Sequence, residues 1–232
     1  MTDAQLLDKV AELRQQGRSP KDIAHCLGVR TAAVAPIIRD IARRRDADAS
    51  EPELVGCWVS PGWSNGLRVD GEPDWPGLGD DRPDRSGIAM VLVARRRRYA
   101  KVTVCGYLVD TWCLGVKDAF GPRVMDEAGL ARDVATYFEV FEADPLAAPV
   151  ELAQQLVWGA VGHARALGFA PHPDFDAAAG HLGEPIESCD ITFGQHGRPC
   201  YVEGPHDNAA RVLRTLERTA GAGNFGFTVA LA

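Results

Sequence analysis

Residues 88–121 read IAMVLVARRRRYAKVTVCGYLVDTWCLGVKDAFG, and the main sheet of the chain is expected around them. Ile88–Ala94 and Val102–Val109 are rich in Val, Leu and Ile, which favours buried strands. The polar segment Arg95–Lys101 separates the two runs and is short enough to connect neighbouring antiparallel strands. We therefore predict a core hairpin that is closed by a charged loop.

The segments around this hairpin predict a mixture of strands and helices. A short strand is predicted before it, at Leu54–Val59. After it we predict, in order, amphipathic helices at Asp126–Phe141 and Val150–Leu167, a second hairpin at Ile191–Val202, a helix that Asp207 caps, and a strand at Phe225–Leu231. This order of elements predicts an α+β domain with a largely antiparallel sheet over residues 54–232.

Composition indicates a globular protein that does not cross a membrane. The chain has 232 residues, of which 46% are hydrophobic. It lacks an apolar run of about 18 residues, and Met1–Gln16 has the pattern of a charged amphipathic helix rather than of a signal peptide. The six cysteines include no C-x-x-C pair, so we expect free thiols in a reducing cytoplasm.

The charge is distributed unevenly along the chain. Met1–Arg45 contains nine Lys or Arg residues and five Asp or Glu residues, whereas the whole chain has a net charge of −7. The N-terminal segment is therefore the part with the sign that attracts polyanions.

The N-terminal segment shows the pattern of three short helices. The first is predicted over Asp3–Gln16, with Gly17 as its stop. The second is predicted over Pro20–Leu27, because Ser19 and Asp22 have the spacing of a capping box and Pro20 occupies the first helical position. The third is predicted to run from Thr31 to about Arg45 after a turn at Gly28, with Pro36 near its beginning.

The sequence GRSPKDIAHCLGVRTAAVAPIIRDIARRR in this segment resembles the helix-turn-helix of bacterial DNA-binding proteins. The resemblance covers residues 3–45 and implies that the third helix meets base edges in the major groove through Arg30 and Thr31. It further implies phosphate contacts that position the protein on duplex DNA without reading sequence, by Lys21, Arg39, Arg43, Arg44 and Arg45. The same packing also suits a three-helix module that docks on protein or ribosomal RNA. The polar segment 46–53 is predicted to be a linker between the two domains.

A second basic cluster lies in the predicted hairpin loop and consists of Arg95, Arg96, Arg97, Arg98 and Tyr99. Exposed arginines can hold a phosphate backbone and a tyrosine can stack on a base, so this tip is a possible second nucleic-acid contact, including one to RNA. The alternative is that these arginines balance the acidic loop Val69–Ser86, since a charge run is often a solvated face.

An enzymatic alternative is a metal-dependent nuclease that uses Asp110 and Asp118 near Lys117. The competing interpretation is that Asp110 caps a turn and Lys117 forms an ion pair. His163, His172 and His181 lack the helical H-x-x-x-H spacing of a zinc site, and a structured loop explains them better. The chain shows no recognisable catalytic motif, so we assign no metal or cofactor.

The motifs YLVD, CLGVKDA, PHPDF and FGQHGRPCY are similar to those of an uncharacterised bacterial domain that accompanies helix-turn-helix modules. That resemblance spans most of residues 87–205 and implies an intact domain, with no activity to carry over. We therefore expect a cytoplasmic DNA-binding transcriptional regulator. Its larger domain would form a homodimer, sense a ligand or contact a partner, because two half-sites give tighter and more specific binding than one.

Overall fold

The computed structural model of this protein describes residues 3–15, 17–30, 33–38, 52–80 and 87–229. The chain divides into two compact units, Met1–Pro52 and Glu53–Ala232. Several residues and segments named above lie outside the described residues: Thr31, Arg39, Arg43, Arg44, Arg45, positions 46–51 of the linker and positions 81–86 of the acidic loop.

The smaller unit contains helix α1 at Asp3–Gln15, helix α2 at Pro20–Leu27 and a helical segment, α3, at 33–38. The predicted capping box at the start of α2 is confirmed. The Ser19 Oγ accepts the Asp22 N–H at 3.2 Å, and the Asp22 carboxylate accepts the Ser19 N–H at 3.3 Å. Gly28 ends α2 with a φ of +63°, a left-handed conformation that glycine adopts without steric cost.

One apolar cluster joins the helical segments of this unit. Val10 of α1, Ile23 and Ala24 of α2 and Val34 of α3 are at most 3% exposed. Because each helix is too short to be stable alone, its formation depends on burial of this shared face.

The larger unit is built on a five-stranded sheet with the strand order β5-β4-β3-β1-β6. Its strands are β1 at Leu54–Val59, β3 at Ile88–Arg97, β4 at Lys101–Asp110, β5 at Gly115–Asp126 and β6 at Leu146–Ala147. Every neighbouring pair in this sheet is antiparallel. The predicted α+β architecture with a largely antiparallel sheet is therefore present.

Helices cover both faces of this sheet. Helix α5, Val150–Ala166, packs its apolar side against Val91, Val93 and other residues of one face. Helix α4, Glu127–Tyr137, begins at the N-cap Asp126 and packs on the opposite face. A strand that is covered on both faces has no polar side, which explains the nearly continuous apolar sequence of β3.

Two short pairs of strands complete the unit. Strand β2, Arg68–Val69, pairs with β7, Ile191–Thr192. Strand β8, Cys200–Val202, pairs in parallel with β9, Gly226–Thr228, and helix α7, Ala209–Thr219, connects them. The prediction that Asp207 caps this helix is wrong, because Asn208 is the N-cap and accepts the Arg211 N–H. A short helix α6, Phe175–Ala178, and a 3₁₀ turn, Ala179–His181, lie between α5 and β7.

The predicted hairpin at Ile191–Val202 is wrong. Its two strands pair with β2 and β9 instead of with each other, and only an isolated bridge joins Gln195 to Arg198. The intervening donors bind elsewhere: the Gly194 N–H reaches the Thr111 carbonyl, and the His196 N–H reaches the Gly66 carbonyl at 2.7 Å. Among the described residues, no helix is both long and apolar enough to cross a membrane.

Candidate functional site

The turn between α2 and α3 presents the described residues of the predicted DNA contact. The Val29 N–H donates to the Ala24 carbonyl at 3.0 Å, and the Val29 side chain packs against the core of the smaller unit. Arg30 follows directly and is exposed, and Lys21 is exposed in the first turn of α2. The turn therefore holds Val29 inward while it leaves Arg30 in solvent.

The second predicted contact, at the β3–β4 hairpin, is smaller than the sequence suggested. Strand pairing extends to Arg97 and Lys101, so only residues 98–100 form the loop. Arg95 is 4% exposed, and its Nε donates to the His181 carbonyl at 2.7 Å. The prediction that Arg95 belongs to an exposed loop is wrong, because strand β3 continues through Arg95 and its side chain is buried in the larger unit.

The remaining basic residues of the hairpin differ in their surroundings. Arg96 forms ion pairs with Glu53, at 2.9 Å, and with Glu127. Arg97, Arg98 and Tyr99 are exposed at the tip, where the Tyr99 side chain is 93% accessible. Within the β3–β4 hairpin, the candidate contact to a nucleic acid is therefore reduced to these tip residues.

The two candidate catalytic carboxylates have different environments. Asp110 is 3% exposed, and its Oδ1 accepts the backbone N–H groups of Trp112 and Cys113, each at 2.9 Å. Burial raises the pKa of Asp110 to about 6 against the lowering effect of those hydrogen bonds. Asp118 has a side chain that is 66% exposed, and its Oδ1 lies 3.8 Å from His172 Nδ1. Asp110 therefore caps the turn after β4, as the alternative interpretation held.

Lys117 pairs with a distant carboxylate rather than with Asp118. Its Nζ lies 2.7 Å from Asp207 Oδ2, and the two side chains are 17% and 12% exposed. The same oxygen accepts the Gly204 N–H at 2.8 Å and the Tyr201 hydroxyl at 3.4 Å. Although burial opposes ionisation, the hydrogen bonds from Lys117 and Gly204 keep the pKa of Asp207 below its usual value.

The three histidines considered above, His163, His172 and His181, are partly buried. His163 Nε2 lies 3.3 Å from the Trp112 carbonyl, and its ring stacks on Phe193. Burial lowers the pKa of both His163 and His181. Within the part of the chain that the structure describes, no three His, Cys, Asp or Glu side chains are grouped to hold a metal ion.

A further candidate site, which the sequence analysis did not predict, lies beside α7. It consists of two cavities of about 520 and 710 Å³ that share Gly168, Arg211 and Thr215 as lining residues. We call the two cavities together the arginine groove. The other charged or titratable residues that line it are Lys117, His172, His206, Asp207, Arg214, Glu217 and Arg218.

Part of the arginine groove has a recognisable sequence signal. Arg211, Arg214 and Arg218 follow the i, i+3, i+7 spacing that puts side chains on one face of a helix, so the basic face of α7 was predictable. The approach of Lys117 and His172 to that face depends on contacts between distant segments, which helical spacing does not show.

Comparison of the chain with models of protein families, with curated proteins and with solved structures finds no significant match. The functional inference therefore rests on the residues and geometry described above.

Proposed function

We propose that this protein is a cytoplasmic transcriptional regulator that binds duplex DNA through its N-terminal unit as a helix-turn-helix. The observation that carries the proposal is the junction between α2 and α3. It combines a capped helix, a left-handed Gly28, an inward Val29 and an exposed Arg30. In a helix-turn-helix the residues at the start of the second helix face base edges, and Arg30 lies in the turn that leads to α3.

The charge distribution supports the same assignment. Glu53–Ala232 contains 16 Lys or Arg residues and 24 Asp or Glu residues, so the larger unit as a whole repels DNA. Met1–Arg45 contains nine Lys or Arg residues and five Asp or Glu residues. Lys21 and Arg30 are exposed members of this basic set. The long-range field therefore directs a nucleic acid to the N-terminal unit.

In this proposal the larger unit forms a homodimer and so brings two DNA-binding units together. A single three-helix module makes few contacts, and a homodimer that reads two half-sites about 34–36 Å apart is the usual route to specificity. The salt dependence reports the number of contacts, because the slope of log affinity against log salt is about −0.9 per phosphate contact.

We would test the proposal by measuring the affinity of the intact chain for a panel of labelled duplexes at several salt concentrations. Arg30→Ala is expected to cost about 1–3 kcal/mol on the preferred duplex and little on the others, because guanine recognition by arginine is specific. Lys21→Ala is expected to weaken all duplexes alike and to reduce the salt slope by about 1. Arg132→Ala removes the same charge from an exposed position of α4 and serves as the control.

The two variants separate base reading from phosphate positioning. Equal losses for Arg30→Ala and Lys21→Ala across the panel would contradict the assignment of Arg30 to base contact. Losses as large for Arg132→Ala would show that only net charge matters.

A second candidate function, RNA association, is favoured by the hairpin tip. Tyr99 is 93% exposed and lies beside the exposed Arg97 and Arg98, a combination that suits base stacking next to a phosphate. Tyr99→Ala in the intact chain would then reduce RNA retention and leave duplex DNA binding unchanged. The nuclease alternative gains no comparable support, because Asp110 Oδ1 already accepts two backbone hydrogen bonds.

A further inference from the structure

We propose that the arginine groove is a binding site for a small organic phosphate, a molecule with at least two negative charges and an apolar ring. This site would make the larger unit a ligand-sensing domain, but its existence does not depend on DNA binding by the N-terminal unit. Three features of the groove support the assignment: its charge, its division into two parts and its fixed lysine.

The groove concentrates positive charge in a unit that is negative overall. Arg211, Arg214 and Arg218 line the larger cavity together with a single carboxylate, Glu217. Arg211 also lines the smaller cavity, so this residue borders both parts of the groove. Guanidinium groups bind phosphate through paired N–H donors, which makes an arginine cluster a more selective phosphate site than a cluster of lysines.

The smaller cavity offers an apolar wall for the rest of the ligand. This wall is formed by Leu114, Val116, Phe169, Pro171, Pro173 and Val212. Its volume of about 520 Å³ lies in the range of small-molecule pockets, and the apolar wall with a few charged groups is their usual lining. A ligand with one charged and one apolar end therefore matches the groove better than a bare anion.

A lysine with a fixed position stands in the same cavity. Lys117 lines it, and Asp207 holds the lysine nitrogen at 2.7 Å. Asp207 is itself held by the Gly204 N–H and the Tyr201 hydroxyl, so this carboxylate already has three donors. The ammonium group has three N–H donors, and Asp207 accepts one of them, which leaves Lys117 the capacity to donate to a polar atom of the ligand as well.

Gly168 lines both cavities, at a position that has little room for a side chain. Gly168 has a φ of +88°, and a Cβ built there would come within 3.1 Å of Thr215 Cγ2. A side chain at this position would be strained and would press on Thr215, which lines both cavities.

The test is calorimetric titration of the intact chain with adenosine diphosphate, with inorganic pyrophosphate and with adenosine. We expect adenosine diphosphate to bind more tightly than pyrophosphate, since only the former fills the apolar part, and adenosine alone to bind weakly. Arg211→Ala should weaken binding of adenosine diphosphate by about tenfold or more, because a hydrogen bond to a charged group is lost. Arg214→Ala should have an effect in the same direction. Arg132→Ala, an exposed arginine of α4, should bind as the unmodified chain does.

The outcomes separate the possibilities. Equal affinity for pyrophosphate and adenosine diphosphate would overturn the organic part of the proposal and leave a simple anion site. Failure of both to bind, or unchanged binding by Arg211→Ala and Arg214→Ala, would overturn the site itself. Displacement of the bound ligand by an oligonucleotide, with the same loss in Arg211→Ala, would assign these arginines to a nucleic acid instead.

Discussion

At the residue scale, the hydroxyl of Tyr107 is a polar atom that lies within the main core. Its side chain is 0% exposed, and its hydroxyl donates to the Ala178 carbonyl at 2.7 Å. We expect Tyr107→Phe to lower the free energy of unfolding by about 1–3 kcal/mol, because the variant leaves a buried carbonyl without its donor. Denaturant titration measures this change. Tyr99→Phe removes the same atom from a residue that is 93% exposed and should change stability by less than about 0.5 kcal/mol. Equal effects would contradict the role of the Tyr107 hydroxyl.

Asp110 makes stability depend on pH through its burial. Its pKa rises from 3.8 to about 6 in the folded protein, so the folded state binds this proton more tightly than the unfolded chain does. The resulting stabilisation is complete below about pH 4 and is lost as the pH rises through about 6. Relative to Asp110→Asn, which keeps an oxygen acceptor for the turn, the unmodified protein should lose on the order of 3 kcal/mol over this interval. Parallel unfolding profiles of the two proteins from pH 4 to pH 7 would contradict this account.

At the scale of elements, the length of strand β3 determines which arginines of the run Arg95–Arg98 are buried. It continues through Arg97, so Arg95 is buried and Arg97 is exposed. We expect Arg95→Ala to lower the free energy of unfolding by about 2 kcal/mol or more, because the His181 carbonyl loses a charged donor and the long side chain loses its packing. Arg97→Ala should change it by less than about 0.5 kcal/mol. Thermal unfolding of both variants tests the difference, and an effect at Arg97 as large as that at Arg95 would contradict the structural role of the buried Arg95.

Elements with strong local signals could be predicted from sequence, whereas those that depend on distant partners could not. The start of α2 follows from Ser19, Pro20 and Asp22, since a capping box acts within one turn. Strand β5, at Gly115–Asp126, was missed because its glycines, Pro122 and charges are typical of a loop. It lies at the edge of the sheet, where proline is tolerated and polar side chains face solvent.

At the scale of the whole molecule, the two candidate sites, the N-terminal turn and the arginine groove, differ in how far they could be predicted from the sequence. The capped helix and the turn before Arg30 are local and were predictable. The arginine groove contains the ion pair between Lys117 and Asp207, two residues that are 90 positions apart along the chain. Sequence periodicity does not predict such a pair, because the pair forms only when β5 and the segment before α7 pack together. The groove therefore appears only once the chain is folded.

The central claim is that the N-terminal unit selects particular DNA sequences. The most direct measurement is a pull-down of sheared genomic DNA and total RNA, followed by sequencing, with the intact chain and with residues 53–232 at physiological salt. We predict that the intact chain enriches a small number of discrete DNA loci that share paired half-sites, and that residues 53–232 do not enrich them. Recovery mainly of RNA, or equal recovery of the same DNA by residues 53–232, would contradict the claim.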